Sequence, residues 1–201
     1  MSQSPTPVIA PSGEQACAPG LAERLLVVAA EDRRLAREAA TLPADATPAK
    51  ALFVARADHG RWLRDIVCRS GWPTSKAVGE EASTAAVTVL LGARSQHLLA
   101  LCQPLIAEAV AKESTPAIHL AYVVDLLAVL RKQRQTYGTQ VEPRSLEPFP
   151  IHDATSIDAR RAAVGLPPLA TTLTQLRTAV ERAPRPTTPP PTRTSHGALS
   201  Q

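Results

Sequence analysis

His119, Tyr122 and Asp125 form one group of side chains that could do chemistry. They are spaced three residues apart, so on an α-helix they fall within an arc of about 120°. An imidazole, a phenol and a carboxylate on one helix face can bind a polar ligand or transfer a proton. In the alternative interpretation, Tyr122 packs in the core, Asp125 pairs with a neighbouring arginine and His119 stays near the start of the helix.

A second polar group follows shortly afterwards, in Tyr137-Gly138-Thr139-Gln140. Glycine permits unusual backbone angles, and the other three residues carry hydrogen-bonding side chains. Because loops of this kind often carry function, Tyr137 and Gln140 are candidate ligand-binding residues. The alternative interpretation is a plain turn.

Trp72 and Arg161 complete the set of candidate ligand-binding residues. Trp72 lies between Gly71 and Pro73 in a predicted loop, where it either closes one wall of a pocket or caps the edge of the core. Arg161 follows Asp158 in a short polar segment, for which helix capping and surface ion pairs are the structural alternative.

Established catalytic and cofactor signatures are missing from the sequence. There is no Gly-x-Ser-x-Gly motif, no phosphate-binding loop and no dinucleotide fingerprint. Cys17, Cys68 and Cys102 are widely spaced and the five histidines are scattered, so we expect no metal site, no disulfide framework and no evident cofactor. The cysteine usage and the lack of a signal-peptide pattern at the N-terminus predict a protein of the reducing cytoplasm.

The charge balance argues against two classes of partner. Lys plus Arg is 22 and Asp plus Glu is 18, and a net charge of +4 is too weak to indicate nucleic-acid binding. The basic run 131–134 comes near the end of a predicted helix, where cations complement the helix dipole. The longest apolar stretch, 85–93, is too short to cross a bilayer, so we expect neither nucleic acid nor membrane as a partner.

The composition predicts a mainly α fold. Hydrophobic residues make up 44% of the 201 residues but aromatic residues only 3%, so the core must be filled by Leu, Val and Ala. We expect a single compact helical domain over 20–182 with six or seven helices and a short hairpin or extended loop near 137–152. The leader 1–19 and the Pro/Thr-rich tail 183–201 are predicted to be disordered.

Several helix ends can also be predicted. Thr47-Pro48 has the form of a helix start, and Gly71 that of a helix end. The long helical run after Glu80 should divide at Gly92 or at Arg94-Ser95-Gln96. Two further helix starts are predicted. Ser114-Thr115-Pro116 should cap a helix that reaches about Gln133, and Thr155-x-x-Asp158 has the form of a capping box.

The same segments carry a resemblance to a known family. Five motifs occur in series: Gly71-Trp72-Pro73, Val78-Gly79, Leu120-Ala121-Tyr122 with Asp125, Tyr137-Gly138-Thr139-Gln140, and Asp158-x-Arg160-Arg161-x-x-Val164-Gly165-Leu166. Over about residues 21–180, Asp32 included, the chain resembles the bacterial domain-of-unknown-function family 6624. That resemblance implies no reaction, because the family has none assigned.

One departure from the family pattern bears on function. Members that resemble this chain usually carry a Gln-His-Ala-Asp run near Leu91-Gly92-Ala93-Arg94, and an Arg commonly stands at the place of Leu126. The His and the Asp of that run are missing here, and Gln96-His97 lies out of register. The resemblance therefore implies a weakened or repurposed member if the family is enzymatic.

Two function hypotheses follow. The first is a non-catalytic protein that binds a small polar ligand or a protein partner, as the missing run and the Pro-rich tail suggest. The second is a small intracellular enzyme that acts on a polar metabolite by acid/base chemistry. In that case Tyr122, Asp125, Tyr137 and Gln140 would line the pocket, and His119 would transfer the proton.

Overall fold

A computed structural model describes residues 20–41 and 46–182 of the chain. Within those ranges it contains eight α-helices, one short 3-10 helix and no β-strand, which confirms the mainly α prediction. The count exceeds the predicted six or seven, because the four residues Ser75–Val78 form a helix in a segment predicted to be a loop. The predicted leader and tail lie outside the described residues. The helices are α1 Leu21–Thr41, α2 Ala46–Ser70, α3 Ser75–Val78, α4 Glu80–Ala93, α5 Gln96–Ala111, α6 Ala117–Leu130, α7 Ile157–Ala163 and α8 Leu169–Arg182, with the 3-10 helix Ala154–Ser156 before α7.

Helix α4 lies at the centre of the core and packs against α1, α2, α3 and α6, while α5 packs mainly on α6. Its small residues Ala82, Ala85 and Ala86 are buried, which allows neighbouring helices to approach closely. Leucine, valine and isoleucine supply most of the remaining volume. Trp72 is the one aromatic side chain in the buried core of the described residues, in keeping with the composition.

Two of the predicted helix boundaries are seen in the structure. Gly71 ends α2 with a φ of 73°, and its N–H donates to the carbonyl of Val67 at 3.0 Å. The long run divides at Arg94, which takes a left-handed φ of 47°, and Ser95 then caps α5 by accepting from the N–H of Leu98. Gly92 lies inside α4, so the second of the two predicted break points is the correct one.

Three other helix starts differ from the prediction. Helix α2 begins at Ala46, one residue before Thr47. The Ser114 hydroxyl donates to the carbonyl of Ala109 at the end of α5, so it does not cap α6, which ends at Leu130. The Thr155 hydroxyl donates to Asp153, while Asp158 accepts from the N–H of Leu169 at the start of α8, so the capping box does not form.

Residues 137–152 form an ordered extended loop. Its ladder is reduced to two isolated bridges, Gln135 with Ile151 and Val141 with Pro148. Prolines 148 and 150 lack the N–H that a continuous ladder requires. Of the two predicted forms, the extended loop is therefore the one present.

Gly60 marks the closest approach of α2 to α4. A Cβ at Gly60 would lie 2.8 Å from the Cβ of Ala93, so the helices must separate to admit it. We expect Gly60→Ala to lower the free energy of unfolding by about 1–3 kcal/mol, as overpacking does. Urea unfolding followed by circular dichroism measures the change.

Gly92→Ala is the matched control for that variant. Its Cβ would lie 3.4 Å from Asp32 Oδ1 and Arg56 Nε, near ordinary contact distance, and alanine favours the helix by up to about 1 kcal/mol. We expect unchanged or higher stability. If Gly60→Ala and Gly92→Ala lowered the free energy of unfolding equally, the close packing assigned to Gly60 would be contradicted.

Candidate functional site

The carboxylate of Asp125 is completely buried and holds the loop that follows α6. It accepts hydrogen bonds from the backbone N–H groups of Thr136 (2.8 Å), Tyr137 (3.0 Å) and Thr139 (2.8 Å), and both of its oxygens are used. Asp125 thus fixes the path of the loop through main-chain atoms. The expected arginine partner is replaced by peptide groups.

Gln135 performs the same task from within the loop. Its buried side chain donates from Nε2 to the carbonyls of Gln140 (3.0 Å) and Phe149 (2.8 Å), and its Oε1 accepts from the N–H of Gln140 (2.8 Å). These bonds take the place of the strand ladder that the prolines prevent. The loop is consequently ordered without being a sheet.

Arg161 joins this loop to the last two helices. Its guanidinium, 1% exposed, donates to the carbonyls of Tyr137 and Pro167 and to the hydroxyl of Thr172, each at 2.7 Å. Burial lowers the pKa of Arg161, and the charges of Asp158 and Asp125 oppose that effect. The neighbouring Arg160 donates to the carbonyl of Thr136 at 2.9 Å.

The sequence-predicted residues therefore divide into two places. Asp125, Arg161 and the main chain of Tyr137 and Gln140 meet around the loop, with Tyr122 close to Arg161. His119 faces α4 instead, and Trp72 is a buried member of the core. Their assignment to ligand binding or catalysis stays a prediction.

His119 is a buried imidazole between α6 and α4. Its Nε2 lies 3.2 Å from the hydroxyl oxygen of Thr84, and its buried Nδ1 has no hydrogen-bond partner among the described residues. Burial lowers the pKa of His119, and the charge of Glu80 partly opposes the shift. The imidazole is therefore held neutral at neutral pH.

This burial makes stability depend on pH. The unfolded chain binds a proton at His119 near pH 6.5 whereas the folded chain does not, so the free energy of unfolding should fall as pH falls below about 6.5. We expect a slope of at most about 1.4 kcal/mol per pH unit from this group, lost in His119→Gln. Urea unfolding of both proteins between pH 7 and 5 measures it.

Acidic groups enter that comparison only at lower pH. Hydrogen bonds lower the pKa of Glu142 and hold that of Asp153 at about 2, so the stability they contribute is lost in more acidic solution. The remaining histidines are common to both proteins. If the free energy of unfolding had the same slope against pH in wild type and in His119→Gln, the assignment of this pH dependence to His119 would be contradicted.

A cleft of about 610 Å³ opens beside His119, where α3 and the start of α4 face the turn between α5 and α6. The backbone N–H of Ser75 donates to the carbonyl of Ser114 at 2.8 Å and ties the two walls together. The lining residues are Ser75, Lys76, Glu80, Val110, Glu113, Ser114, Thr115, Pro116 and Ala117.

Unpartnered polar atoms are concentrated in the elements around this cleft. Thr115 and Ser75 line it, and their buried hydroxyl oxygens, Oγ1 and Oγ, have no hydrogen-bond partner in the described part of the chain. Trp72 Nε1, Ser83 Oγ and His119 Nδ1 belong to adjoining segments that do not line the cleft, and they are likewise buried and without a partner there. A buried polar group left unpaired costs about 1–3 kcal/mol, so their grouping needs an explanation.

Sequence reasoning missed most of this cleft. It assigned Thr115 to a helix cap and Glu80 to a helix start, and it gave no binding role to Ser75, Lys76 or Glu80. Only the fold brings Ser75 and Ser114 together, and no spacing in the sequence indicates it. The nearest signals were Trp72 and His119, which lie in the segments flanking the site.

The comparison with known families accounts for almost all of the described chain. The model of DUF6624, a family of unknown function, matches residues 19–182. The chain belongs to DUF6624. The resemblance inferred from the motifs is thus confirmed at the level of the family. No curated protein and no solved structure matches the chain.

In this DUF6624 domain, residues 91–94, where the resemblance predicts a Gln-His-Ala-Asp run, lie against a partly buried ion pair. Asp32 accepts from Arg56 Nε at 2.7 Å and Nη2 at 2.9 Å, and the Cβ position of Gly92 is 3.4 Å from both Asp32 Oδ1 and Arg56 Nε. The hydrogen bond to Asp32 raises the pKa of Arg56. An alanine Cβ at Gly92 would therefore meet this bidentate pair near ordinary contact distance.

The described DUF6624 residues contain neither a metal-binding cluster nor a membrane-spanning helix. No group of three or more His, Cys, Asp or Glu side chains within 20–41 and 46–182 could hold a metal ion. In the same ranges, every helix is too short or too polar to span a bilayer.

Proposed function

We propose that this DUF6624 protein is a non-catalytic binding protein that takes a small polar ligand in the cleft beside α6. One observation carries the proposal: Thr115 lines the cleft, and its buried Oγ1 has no partner among the described residues. Thr115 is only 6% exposed. A hydroxyl in that position is satisfied when a polar ligand atom or a water binds to it.

The size of the cleft favours a small molecule over a protein partner. Small-ligand sites are concave and measure about 300–1,000 Å³, and this cleft falls in that range. Its lining combines an apolar part, Val110 and Ala117, with a few hydroxyl and charged groups. That mixture is typical of sites that orient a small polar ligand.

The non-catalytic part of the proposal rests on how the reactive groups are used. Both oxygens of Asp125 accept hydrogen bonds from backbone N–H groups, so this carboxylate has a structural role. The position at which the family resemblance predicts a histidine is Gly92, beside the ion pair that Asp32 and Arg56 form with each other. These contacts support binding without turnover.

An enzyme is the second candidate, and His119 is the observation that favours it. The imidazole is held neutral and its Nδ1 has no partner in the described residues, as a proton-transfer group requires. Incubation with a bound ligand, followed by NMR of the ligand, separates the two candidates. Conversion that is lost in His119→Gln would replace the binding proposal by the enzymatic one.

A thermal-shift screen against a metabolite collection tests the binding proposal. A ligand that binds the folded state raises Tm. Thr115→Val keeps the side-chain volume and removes the hydroxyl. We expect it to lower the affinity for the ligand by about tenfold or more. Ser83→Ala is the matched control, because it removes an unpartnered buried hydroxyl that does not line the cleft.

The two variants should agree when no ligand is present. Each removes a buried hydroxyl without a partner, so we expect each to raise the free energy of unfolding by about 1 kcal/mol. They should differ only in the response to ligand. A collection without any stabilising ligand, or a ligand that binds Thr115→Val as tightly as wild type, would overturn the proposal.

We also propose that the protein works in the bacterial cytoplasm. Cys68 is exposed and Cys102 is buried, and both are free thiols. Burial raises the pKa of Cys102 to about 12, which makes that thiol inert. An exposed free thiol such as Cys68 persists most readily in a reducing compartment.

A further inference from the structure

We infer that the ligand of the cleft is an amino acid with an uncharged side chain, bound as a zwitterion. This inference rests on the proposed binding function of the cleft and adds the chemical class of the ligand. The carboxylate binds at the N-terminus of α6, and the ammonium group binds at Glu80 and Glu113.

The anionic end of the ligand meets an uncapped helix. Pro116 precedes α6, no side chain caps the helix, and Pro116 and Ala117 line the cleft. The first-turn N–H groups of a helix lack internal partners and carry its positive dipole end, which favours a carboxylate. The unpartnered Thr115 hydroxyl, nine-tenths buried, adds a donor at the same place.

Lys76 adds a positive charge to the lining of the cleft. Its Nζ makes a single long contact, 3.5 Å to the carbonyl of Lys112, so its other protons stay available. The Ser75 hydroxyl lines the same cleft without a partner in the described residues. Together these groups form a set of donors for one carboxylate.

The cationic end of the ligand meets two carboxylates. Glu80 is the first residue of α4 and Glu113 lies in the turn after α5, and both line the cleft. The described residues form no ion pair with either of them.

The combination of charges selects a zwitterion over simpler ions. The lining has one lysine and two glutamates, so a phosphate or simple carboxylate would meet excess negative charge. A simple cation would meet Lys76 and the positive end of α6. A molecule with both charges satisfies each end, and Val110, Pro116 and Ala117 offer an apolar wall to an uncharged side chain.

NMR titration of the full-length, ¹⁵N-labelled protein with L-alanine, L-serine and L-leucine tests this inference. We expect saturable shifts of the amide signals of Thr115, Ala117 and Ile118. L-leucinamide lacks the carboxylate and isocaproate lacks the ammonium group. Each should bind about tenfold or more weakly than L-leucine, because each loses one charged contact.

Variants assign the two ends. Glu80→Gln and Glu113→Gln should lower the affinity for the amino acid without lowering the affinity for isocaproate. Thr115→Val should lower the affinity for both. Glu81→Gln is the matched control, because Glu81 lies in the first turn of α4 but does not line the cleft. Its affinity for the amino acid should equal that of wild type.

The outcomes separate this inference from the proposed function. The inference of a zwitterionic ligand would be overturned if isocaproate bound as tightly as L-leucine. It would also be overturned if both glutamate variants kept the wild-type affinity for the amino acid. Failure of all three amino acids, when the metabolite screen yields a ligand sensitive to Thr115→Val, would overturn the ligand class and leave the binding function standing. Absence of any ligand in both experiments would overturn both.

Discussion

Replacing Asp125 by alanine is expected to lower the free energy of unfolding by about 3–5 kcal/mol. The substitution removes a fully buried carboxylate and leaves the N–H groups of Thr136, Tyr137 and Thr139 without their acceptor. A small domain is stable by only about 5–15 kcal/mol, so the variant should be close to unfolding. Urea unfolding monitored by circular dichroism measures the loss.

Two further variants calibrate the effect of Asp125→Ala. Asp125→Asn keeps the shape and one acceptor oxygen but turns an amide donor toward the loop, so its loss should be intermediate. Asp65→Ala removes an exposed carboxylate of α2 and should change stability by less than about 0.5 kcal/mol. A loss below about 1 kcal/mol for Asp125→Ala would contradict the structural role of this carboxylate.

Replacing Arg161 by methionine is expected to lower the free energy of unfolding by about 2–4 kcal/mol. Methionine fills a similar volume, so the change isolates the guanidinium. The lost bonds are those to the carbonyls of Tyr137 and Pro167 and to the hydroxyl of Thr172, which join the loop to the end of α7 and to α8.

The effect of Arg161→Met should be seen first in the last third of the chain. Limited proteolysis is expected to cut near the loop or α8 in the variant at protease levels that leave wild type intact. Arg161→Lys keeps the charge but cannot reach three acceptors in a planar fork, so it should lose less stability than methionine. Arg64→Met, at an exposed arginine of α2, is the control and should behave as wild type.

The expected losses of stability in the Asp125 and Arg161 variants affect how a ligand-binding experiment should be designed. Asp125 was a candidate ligand contact, but its removal is expected to weaken the whole fold. A lost thermal response in Asp125→Ala would therefore say little about binding. Thr115→Val keeps the fold and removes one atom from the cleft, so its response reports on the ligand.

The sequence predicted those features that depend on local chain properties. The scarcity of aromatic residues predicted a helical core, and Gly71 predicted the end of α2 because only a flexible residue takes a φ of 73° easily. The division of the long run at Arg94–Gln96 also followed from a local polar segment. Elements of this kind are decided within one or two turns of chain.

The site could not be predicted in the same way. His119 and Asp125 lie about 120° apart around α6 and about 9 Å apart along it, so each meets a different neighbour. His119 contacts Thr84 of α4, and Asp125 contacts the loop after α6. Their shared arc predicted one cleft, but the position of the surrounding elements decides the contacts, and that position is a tertiary property.

The way in which the loop after α6 is held has a consequence for how the domain can diversify. Asp125 and Arg161 bind its peptide groups, so the side chains of Thr136, Tyr137 and Thr139 do not determine its path. Gly138 and Gln135 are the exceptions, since a Cβ at Gly138 would lie 3.0 Å from Ile151 Cδ1 and the Gln135 side chain binds the main chain of the loop. Substitution at the other positions changes the surface that the loop displays while its main chain keeps its course, and mutation can therefore explore new recognition there at little risk to folding.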